Sequence, residues 1–293
     1  MLDRRKSRNA EPLIVKVVDL DEGDREFLAQ ILAITTAKLI TQPSWKLSSA
    51  LAKKWIVWRT KRNEGISISH CFGEWPGAGV SSLLCPAPLL TPRPETDWWR
   101  ENYVVPALIS LWRSSSHPKI LIDLGSGTGL LAIGIARQLI LNQVFPHKII
   151  AVDSSTLACE TIKKNWERWG DPRIEFVVRQ NSIDSWFDGW ENDFHPHSIV
   201  VSNPPYLDIA WHDPVPTSED KHALYAGDEG CNAIKAILKG LNYRNWRGQG
   251  WIECDPRPNY EYLLLDELSV WKKRQWLKDQ WGRRRVLFIQ NSK

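Results

Sequence analysis

Asn203-Pro204-Pro205-Tyr206, directly after the apolar run 198–201, is the stretch whose residue types are best suited to chemistry. Neither proline can donate a ladder hydrogen bond and each fixes its own φ, so a strand ends here. The Asn203 side-chain oxygen and the Pro204 main-chain carbonyl then form two rigidly held acceptors. Such a pair can receive both hydrogens of one planar NH2 group, on which the Tyr206 ring can stack. The alternative interpretation is a turn that only ends a strand.

This clamp predicts group transfer to a weakly nucleophilic nitrogen. The lone pair of an amide nitrogen is delocalised, and drawing both hydrogens to acceptors favours a pyramidal nitrogen whose lone pair faces a methyl donor. Positioning and hydrogen bonding then carry the catalysis, and no strong base is needed before attack. We predict catalytic and substrate-binding roles for the whole tetrapeptide, Asn203, Pro204, Pro205 and Tyr206, and a cofactor contact for Asn203.

A second candidate site is the loop Asp123 to Gly129, "DLGSGTG", between an apolar run and a helical pattern. Its three glycines let the backbone turn sharply and approach a ligand, and the following helix N-terminus offers free N–H groups. Asp153 ends the next apolar run, where a carboxylate can accept hydrogen bonds from both hydroxyls of a ribose. The pattern therefore predicts a site for a nucleoside-containing cofactor, with a purely structural turn as the alternative.

The glycine spacing decides between two cofactors. The loop reads G-x-G-x-G and not the G-x-G-x-x-G of dinucleotide-binding folds. Asp123 would repel a pyrophosphate, whereas it suits the positive ammonium and sulfonium of S-adenosylmethionine. We therefore predict S-adenosylmethionine and not NAD, and the loop residues expected to bind it are Asp123, Gly125, Ser126, Gly127 and Gly129. For Asp123 the alternative is a cap at the strand end.

These residues require a sheet that brings several strand ends together. Apolar runs predict six strands, at 119–125, 148–153, 173–180, 197–203, 250–255 and 284–290. Helical periodicity predicts helices between them, at 129–142, 155–170 and 232–244. The alternation predicts an α/β fold, a Rossmann-like and mostly parallel doubly wound sheet. Ligands of such sheets gather at the carboxyl ends of the strands, so Asn203 should face the same crevice as the glycine loop.

The chain before this sheet has a different pattern. Residues 24–62 show helical periodicity, and residues 65–94 are rich in Gly, Pro and Ser. We predict a small helical domain over 1–64, a linker or hairpin over 65–95 and the cofactor-binding methyltransferase domain over 96–293.

The composition excludes several classes of protein. Hydrophobic residues make up 43% and charged residues 25%, as in globular proteins. No apolar stretch reaches the roughly 18 residues of a spanning helix, so we expect a soluble protein. The five cysteines are scattered without a CxxC pair, which predicts reduced packing residues and no metal site. The basic start, 1–11, has no apolar segment after it and is not a secretory signal.

Six segments together resemble the HemK/PrmC family, S-adenosylmethionine-dependent protein glutamine-N5 methyltransferases that act on peptide-chain release factors. The segments are "TPRPETDWW", "DLGSGTGLLAIGIA", "AVDSSTLACETIKKN", "VVSNPPYLD", "HALYAGDEG" and "WGRRRVLFIQ". The pairing of PRPET before the glycine loop with NPPY after it is specific. The resemblance implies methylation of the glutamine amide in the Gly-Gly-Gln loop of a class I release factor. It also implies that the N-terminal domain helps to dock that factor, with neither membrane nor nucleic acid required.

The resemblance also implies roles for further residues. Arg93, Pro94, Glu95 and Thr96 match the segment that borders the cofactor and substrate crevice. The alternative for Arg93 and Glu95 is an interdomain ion pair with a turn. Three positions depart from the family pattern. Asn181 replaces an acid that is expected near the adenine, and Asp255 replaces a glycine that follows Glu253 in the pattern. Glu219-Asp220 occupies the place of a Glu-Pro pair. Because the clamp and the glycine loop are intact, we expect an active enzyme with Asn181 as a cofactor contact.

Two other functions are compatible with parts of the sequence. A nucleic-acid amino (adenine) methyltransferase could use the same clamp, but it would have to flip or splay a base. The net charge of +4 is too small to argue for a nucleic-acid partner. A non-catalytic binding protein on the same scaffold would have no need for two fixed acceptors. We expect the bacterial cytoplasm as the compartment, with the mitochondrial matrix as the alternative.

Overall fold

The structure is a computed structural model that describes residues 12–186, 188, 194–208, 210, 217–257 and 260–291. The basic start at 1–11 lies outside these ranges. The described residues divide into two compact units, one running up to Phe72 and including Thr217 and Ser218, the other beginning at Gly73. Within the described ranges, no helix has both the length and the apolar character needed to span a membrane.

The first unit combines helices with a small sheet. Its helices are α1 (Glu22–Ile31), α2 (Thr36–Leu39), α3 (Ser49–Asn63) and α4 (Ile68–Phe72). Its strands, β1 (Leu13–Lys16) and β2 (Ser44–Leu47), pair antiparallel. The first three helices each begin after a side-chain cap, provided by Asp21, Thr35 and Ser48. The core includes the Phe27 ring, stacked on Trp58 with ring centroids 4.8 Å apart.

Residues 44–47, which the periodicity assigns to a helix, form β2 instead. Trp45 pairs with Val15 and Leu47 with Leu13 across the two strands. Val15 and Leu47 are buried while Lys46 is exposed, so four residues alternate as a strand does. A helical period cannot be told from this alternation over so short a segment.

The second unit starts with a hairpin and a bent helical segment. Strands β3 (Glu74–Gly77) and β4 (Val80–Leu84) pair antiparallel. Helices α5 (Pro94–Trp99) and α6 (Val105–Ser114) are joined by a π-helical turn, Arg100–Val104. Pro106 cannot donate the i→i−4 hydrogen bond, which accounts for the irregular turn just before it.

A seven-stranded sheet forms the centre of this unit. Its strands are β5 (Ile120–Leu124), β6 (Lys148–Asp153), β7 (Glu175–Gln180), β8 (Ile199–Ser202), β11 (Gln249–Glu253), β12 (Lys273–Lys278) and β13 (Arg284–Gln290). They lie in the order β12-β13-β11-β8-β5-β6-β7. Strand β13 runs antiparallel to both of its neighbours, β11 and β12, and the other four strand pairs of this sheet are parallel. A separate short parallel pair is formed by β9 (Leu207–Asp208) and β10 (Tyr225–Ala226).

Helices cover both faces of the sheet. On one face lie α6, α7 (Leu130–Leu141) and α8 (Thr156–Trp169), and on the other α10 (Asn232–Tyr243) and α11 (Leu265–Leu268). A further short helix is α9 (Lys221–Leu224). Two buried apolar clusters, one on each face, contain alternate residues of the central strands: Leu121 lies in one and Ile122 in the other. The Rossmann-like fold class and the six predicted strands are confirmed.

The seventh strand, β12, is absent from the sequence prediction. Its segment, "KRQWLK", carries three cations, so its apolar residues give no clear alternation. It lies at the edge of the sheet beside β13, where charged residues are common because they discourage further pairing. Trp276 packs against one apolar cluster and Leu277 against the other.

Candidate active site

The carboxyl ends of β5, β6 and β8 border a cavity of about 330 Å³. This volume is in the range of small-molecule sites. The cavity is lined by nine residues to which the sequence analysis gives a place in the site: Arg93, Thr96, Asp123, Gly125, Ser126, Gly127, Asp153, Asn203 and Pro205. The structure therefore brings the glycine loop and the Asn-Pro-Pro-Tyr stretch to one site, as the topology of the parallel strands requires.

Six other candidate residues do not line this cavity: Pro94, Glu95, Gly129, Asn181, Pro204 and Tyr206. Gly129 begins α7 with a φ of 87°, and a Cβ there would lie 2.6 Å from Ile162. Its role in the structure is close packing of the helix start. The Asn181 side chain donates to the Ser185 carbonyl at 3.3 Å. The residues that follow Asn181, 182–184, line the cavity in its place.

The glycine loop is hydrogen-bonded to β6 on one side and borders open space on the other. The backbone N–H groups of Gly125 and Ser126 both donate to the Val152 carbonyl at 2.9 Å. Gly127 has a φ of 54°, and no atom lies within 4 Å of the position that a Cβ would take there. Because the loop is fixed to β6 while Gly127 borders free space, a ligand can approach its backbone closely.

Asp123 combines a structural contact with an unpaired atom. Its side chain is fully buried, and Oδ2 accepts a hydrogen bond from the Ala132 N–H at 3.1 Å. Oδ1 has no hydrogen-bond partner among the described residues. Burial raises the pKa of Asp123 to about 7; the Ala132 N–H opposes this shift and the nearby Asp153 adds to it. A cation in the cavity would offset the burial and favour the ionised carboxylate.

Asp153 holds the loop while facing the cavity. Its Oδ2 accepts from the Gly127 N–H at 2.8 Å and its Oδ1 from the Ser155 N–H at 2.9 Å. Burial raises its pKa, and these backbone N–H groups partly offset the effect. Each carboxylate oxygen retains a second lone pair for a hydroxyl donor.

The Asn-Pro-Pro-Tyr stretch is held through its two polar side chains. Asn203 Nδ2 donates to Thr96 Oγ1 at 3.1 Å, and Tyr206 Oη donates to Glu253 Oε1 at 3.0 Å. No described donor reaches Asn203 Oδ1 or the Pro204 carbonyl oxygen. In the described part of the chain, these two acceptors are therefore still available at the end of β8.

Arg93 forms an ion pair, but its partner is not Glu95. Its guanidinium lies 2.6 Å from Glu219 Oε2, and it also donates to Thr91 Oγ1 at 2.5 Å. Glu219 accepts in turn from the Thr91 N–H and hydroxyl. Both members of the pair belong to the second unit, so the pair braces one wall of the cavity.

The sequence analysis assigns no role in the site to several polar residues that the structure places there. Asp184, Asp220 and His222 line the cavity, and the buried Glu253 receives the Tyr206 hydroxyl. Their signal was weak because each is separated by many residues from the groups it meets. Glu253 ends a buried strand, β11, and an acid in that position was the available clue.

The residues present fit S-adenosylmethionine. Asp123 offers an unpaired, buried oxygen to a positive group, Asp153 offers acceptors, and the open position at Gly127 leaves room for close contact. A phosphate-bearing cofactor would meet two carboxylates, Asp123 and Asp153, beside the glycine loop. The residues that would hold S-adenosylmethionine are Asp123, Gly125, Ser126, Gly127 and Asp153.

No family model matches the chain, whereas individual proteins do. The release factor glutamine methyltransferase of Rhodopirellula baltica is 30% identical over 241 residues, which are 79% of this chain and 76% of that protein. The protein of the same name from Haemophilus influenzae is 26% identical over 289 residues, covering 96% and 92%. Among solved structures, the catalytic domain of human METTL16 matches with 19% identity and a TM-score of 0.48, covering 70% of this chain and 71% of that one.

Proposed function

The chain belongs to the family of release factor glutamine methyltransferases, and on this premise we propose that it methylates a glutamine amide nitrogen of a class I release factor. The glutamine is that of the Gly-Gly-Gln motif. The enzyme is an S-adenosylmethionine-dependent methyltransferase. The compartment we propose is that of the release factor, the bacterial cytoplasm, with the mitochondrial matrix as the alternative.

The observation that carries this proposal is the Asn203 amide at the end of β8, which lines the cavity. Asn203 turns its nitrogen to Thr96, which leaves Oδ1 for a substrate donor. The Pro204 carbonyl is the second acceptor. Two acceptors and no donor match a primary amide NH2, which has two hydrogens to give.

S-adenosylmethionine supplies, when bound, an electrophilic methyl group on a positive sulfur. Asn203 and Pro204 hold both hydrogens of the glutamine NH2, which favours a pyramidal nitrogen. Asp123 and Asp153 hold the cofactor side of the crevice, so that the two reactants meet in a fixed orientation. The substrate nitrogen gains the methyl group and releases one hydrogen as a proton, so the net charge balances.

The partner class is tested by offering the enzyme methyl-labelled S-adenosylmethionine together with different acceptors. We expect label on a Gly-Gly-Gln release factor and none on its Gly-Gly-Ala variant, on tRNA, on ribosomal RNA or on DNA. Label on an adenine-containing nucleic acid, with an unlabelled release factor, would favour the amino-methyltransferase instead. Label on neither class would refute both activities.

We further propose that the first unit contributes to docking of the release factor. Helix α3 presents two adjacent apolar side chains, Ile56 at 58% and Val57 at 51% exposure, and exposed apolar groups often mark protein contacts. Replacing both by Asp should raise the KM for the whole release factor without changing cofactor affinity. Leu141→Asp is a matched control, since Leu141 is 73% exposed on the second unit. Equal KM values for all three proteins would contradict the docking role.

A further inference from the structure

Glu253, at the end of β11, connects the two ends of the Asn-Pro-Pro-Tyr stretch. It is 1% exposed. Its Oε2 accepts from Thr96 Oγ1 at 2.6 Å and from the Trp99 indole at 2.7 Å. Its Oε1 accepts from the Tyr206 hydroxyl at 3.0 Å. The catalytic scheme above uses the contact of Asn203 with Thr96 but gives no role to Glu253, the buried carboxyl that Thr96 contacts.

The direction of every hydrogen bond in this group follows from its chemistry. Glu253 forms an ion pair with the Arg285 guanidinium at 3.5 Å. As the carboxylate of an ion pair, it can accept hydrogen bonds but cannot donate one. The Thr96 hydroxyl must therefore donate its single hydrogen to Glu253. Its oxygen can then only accept, and the group that faces it must be a donor.

Asn203 is that group, and only the NH2 end of its side-chain amide can donate to Thr96. Its amide lies with Nδ2 3.1 Å from Thr96 Oγ1. If the amide were rotated by 180°, the Asn203 oxygen would face the Thr96 oxygen without a hydrogen between them. Its NH2 would then face the NH2 of the substrate, donor against donor. Only the orientation imposed by Thr96 places an acceptor at the reaction site.

We propose that Glu253, acting through Thr96, is the positioning residue that fixes the Asn203 amide with its oxygen toward the substrate nitrogen. The same carboxylate accepts a hydrogen bond from the Tyr206 hydroxyl. Both ends of the tetrapeptide are therefore held by Glu253, Tyr206 directly and Asn203 through Thr96. Burial, with Glu253 beside it, raises the pKa of Tyr206 well above its usual value, which keeps the phenol a donor. This inference rests on the proposed function, because it assumes that Asn203 Oδ1 accepts from the substrate amide.

The charges around Glu253 make a neutral replacement informative. Arg285 also pairs with Asp279 at 3.0 Å. Glu253→Leu removes the acceptor of Thr96, Trp99 and Tyr206 together and leaves Arg285 paired with Asp279. The Thr96 hydroxyl is then free to donate elsewhere, so it no longer fixes the orientation of the Asn203 amide.

The experiment compares Thr96→Val with Thr96→Ser, each in the wild-type and in the Asn203→Ala background. Thr96→Val keeps the shape but removes the acceptor, and we expect single-turnover methylation of the release factor to slow roughly tenfold, the effect of one hydrogen bond. Thr96→Ser should stay within about twofold of wild type. Cofactor affinity by calorimetry and the thermal midpoint should change little in either variant. In Asn203→Ala, Thr96→Val should have no further effect on rate, since the group it orients is gone.

A second measurement reads the orientation without any turnover. The side-chain NH2 of Asn203, followed by NMR, should be protected from hydrogen exchange in wild type and Thr96→Ser, and should lose that protection in Thr96→Val and Glu253→Leu. Glu253→Leu should slow methylation on the order of a hundredfold, since it leaves buried donors unpaired. An equal rate loss from Thr96→Val in both backgrounds, or unchanged protection in Thr96→Val, would overturn the proposal. A wild-type enzyme that leaves the release factor unmethylated would refute the proposed function, while the NMR result would still decide the orientation.

Discussion

The two halves of the crevice present their polar groups in opposite ways. On the cofactor side, Asp123 buries an oxygen that has no described partner, and Gly127 borders empty space. On the amide side, Asn203 and Tyr206 give their donors to the protein and leave only acceptors. The first arrangement gains free energy when a ligand completes it, and so contributes to affinity. The second is organised in advance, and so contributes to rate.

The largest expected effect comes from breaking the amide side. Asn203→Ala removes one of the two acceptors, and loss of a positioned polar contact at a reacting centre costs about 2.7 to 4 kcal/mol, or roughly a hundredfold to a thousandfold in rate. Cofactor affinity should change little, because the glycine loop is untouched. Single-turnover methylation at saturating cofactor, with calorimetry in parallel, measures both quantities.

Asn203→Asp sharpens that result. It keeps an acceptor oxygen but adds a negative charge, and it cannot donate to Thr96 when ionised. We expect slower transfer than in wild type, with cofactor bound at least as tightly. Near-normal rates in both Asn203 variants would mean that the stretch only ends a strand.

The next effect comes from the cofactor side. Asp153→Asn keeps the shape but removes the charged acceptor, and the loss of hydrogen bonds to a charged group, about 1.5 to 3 kcal/mol, should weaken S-adenosylmethionine binding roughly tenfold to a hundredfold. The rate at saturating cofactor should stay near that of wild type. Asp266→Asn, which changes an exposed carboxyl of the second unit, serves as the control. A lower saturating rate with unchanged affinity would reverse the roles of the two halves.

A pair of glycine substitutions separates ligand contact from packing. Gly129→Ala would place its Cβ 2.6 Å from Ile162, and such overpacking costs about 1 to 3 kcal/mol of stability. Gly127→Ala meets no atom within 4 Å, so its packing cost is small, while the new methyl group occupies the open side of the loop. We expect Gly129→Ala to lower the thermal midpoint and Gly127→Ala mainly to weaken cofactor binding. Equal losses of stability in both would contradict this distinction.

The smallest effect is a dependence on pH. Burial raises the pKa of Asp123 to about 7, so the free site binds a proton below that pH. A cationic ligand favours the ionised form, and its binding must release that proton. Affinity for S-adenosylmethionine should therefore rise from pH 6 to pH 8, by up to about tenfold. Asp123→Asn should abolish the rise, and calorimetry at constant ionic strength would show whether the slope persists there.

The sequence predicted the sheet and the grouping of its strand ends, because long apolar runs and turn residues are local signals. It did not predict β12, whose charges suit an edge strand but hide the alternation. Nor did it predict the role of Glu253, whose partner Thr96 lies far away in sequence and meets it only in the folded chain. Arg93 shows the same limit: its ion pair is with Glu219 and not with the neighbouring Glu95. Local patterns indicate which groups are available, and the tertiary fold decides which of them pair.

The central claim, that the amide side orients a glutamine NH2, is tested most directly by locating the transferred methyl group. A Gly-Gly-Gln release factor would be incubated with S-adenosylmethionine and either wild-type enzyme or Asn203→Ala, then digested and analysed by tandem mass spectrometry. We predict one methyl group on the side-chain amide of that glutamine with wild-type enzyme, and a large drop in its amount with Asn203→Ala. A methyl group on another residue, or equal modification by both enzymes, would contradict the account.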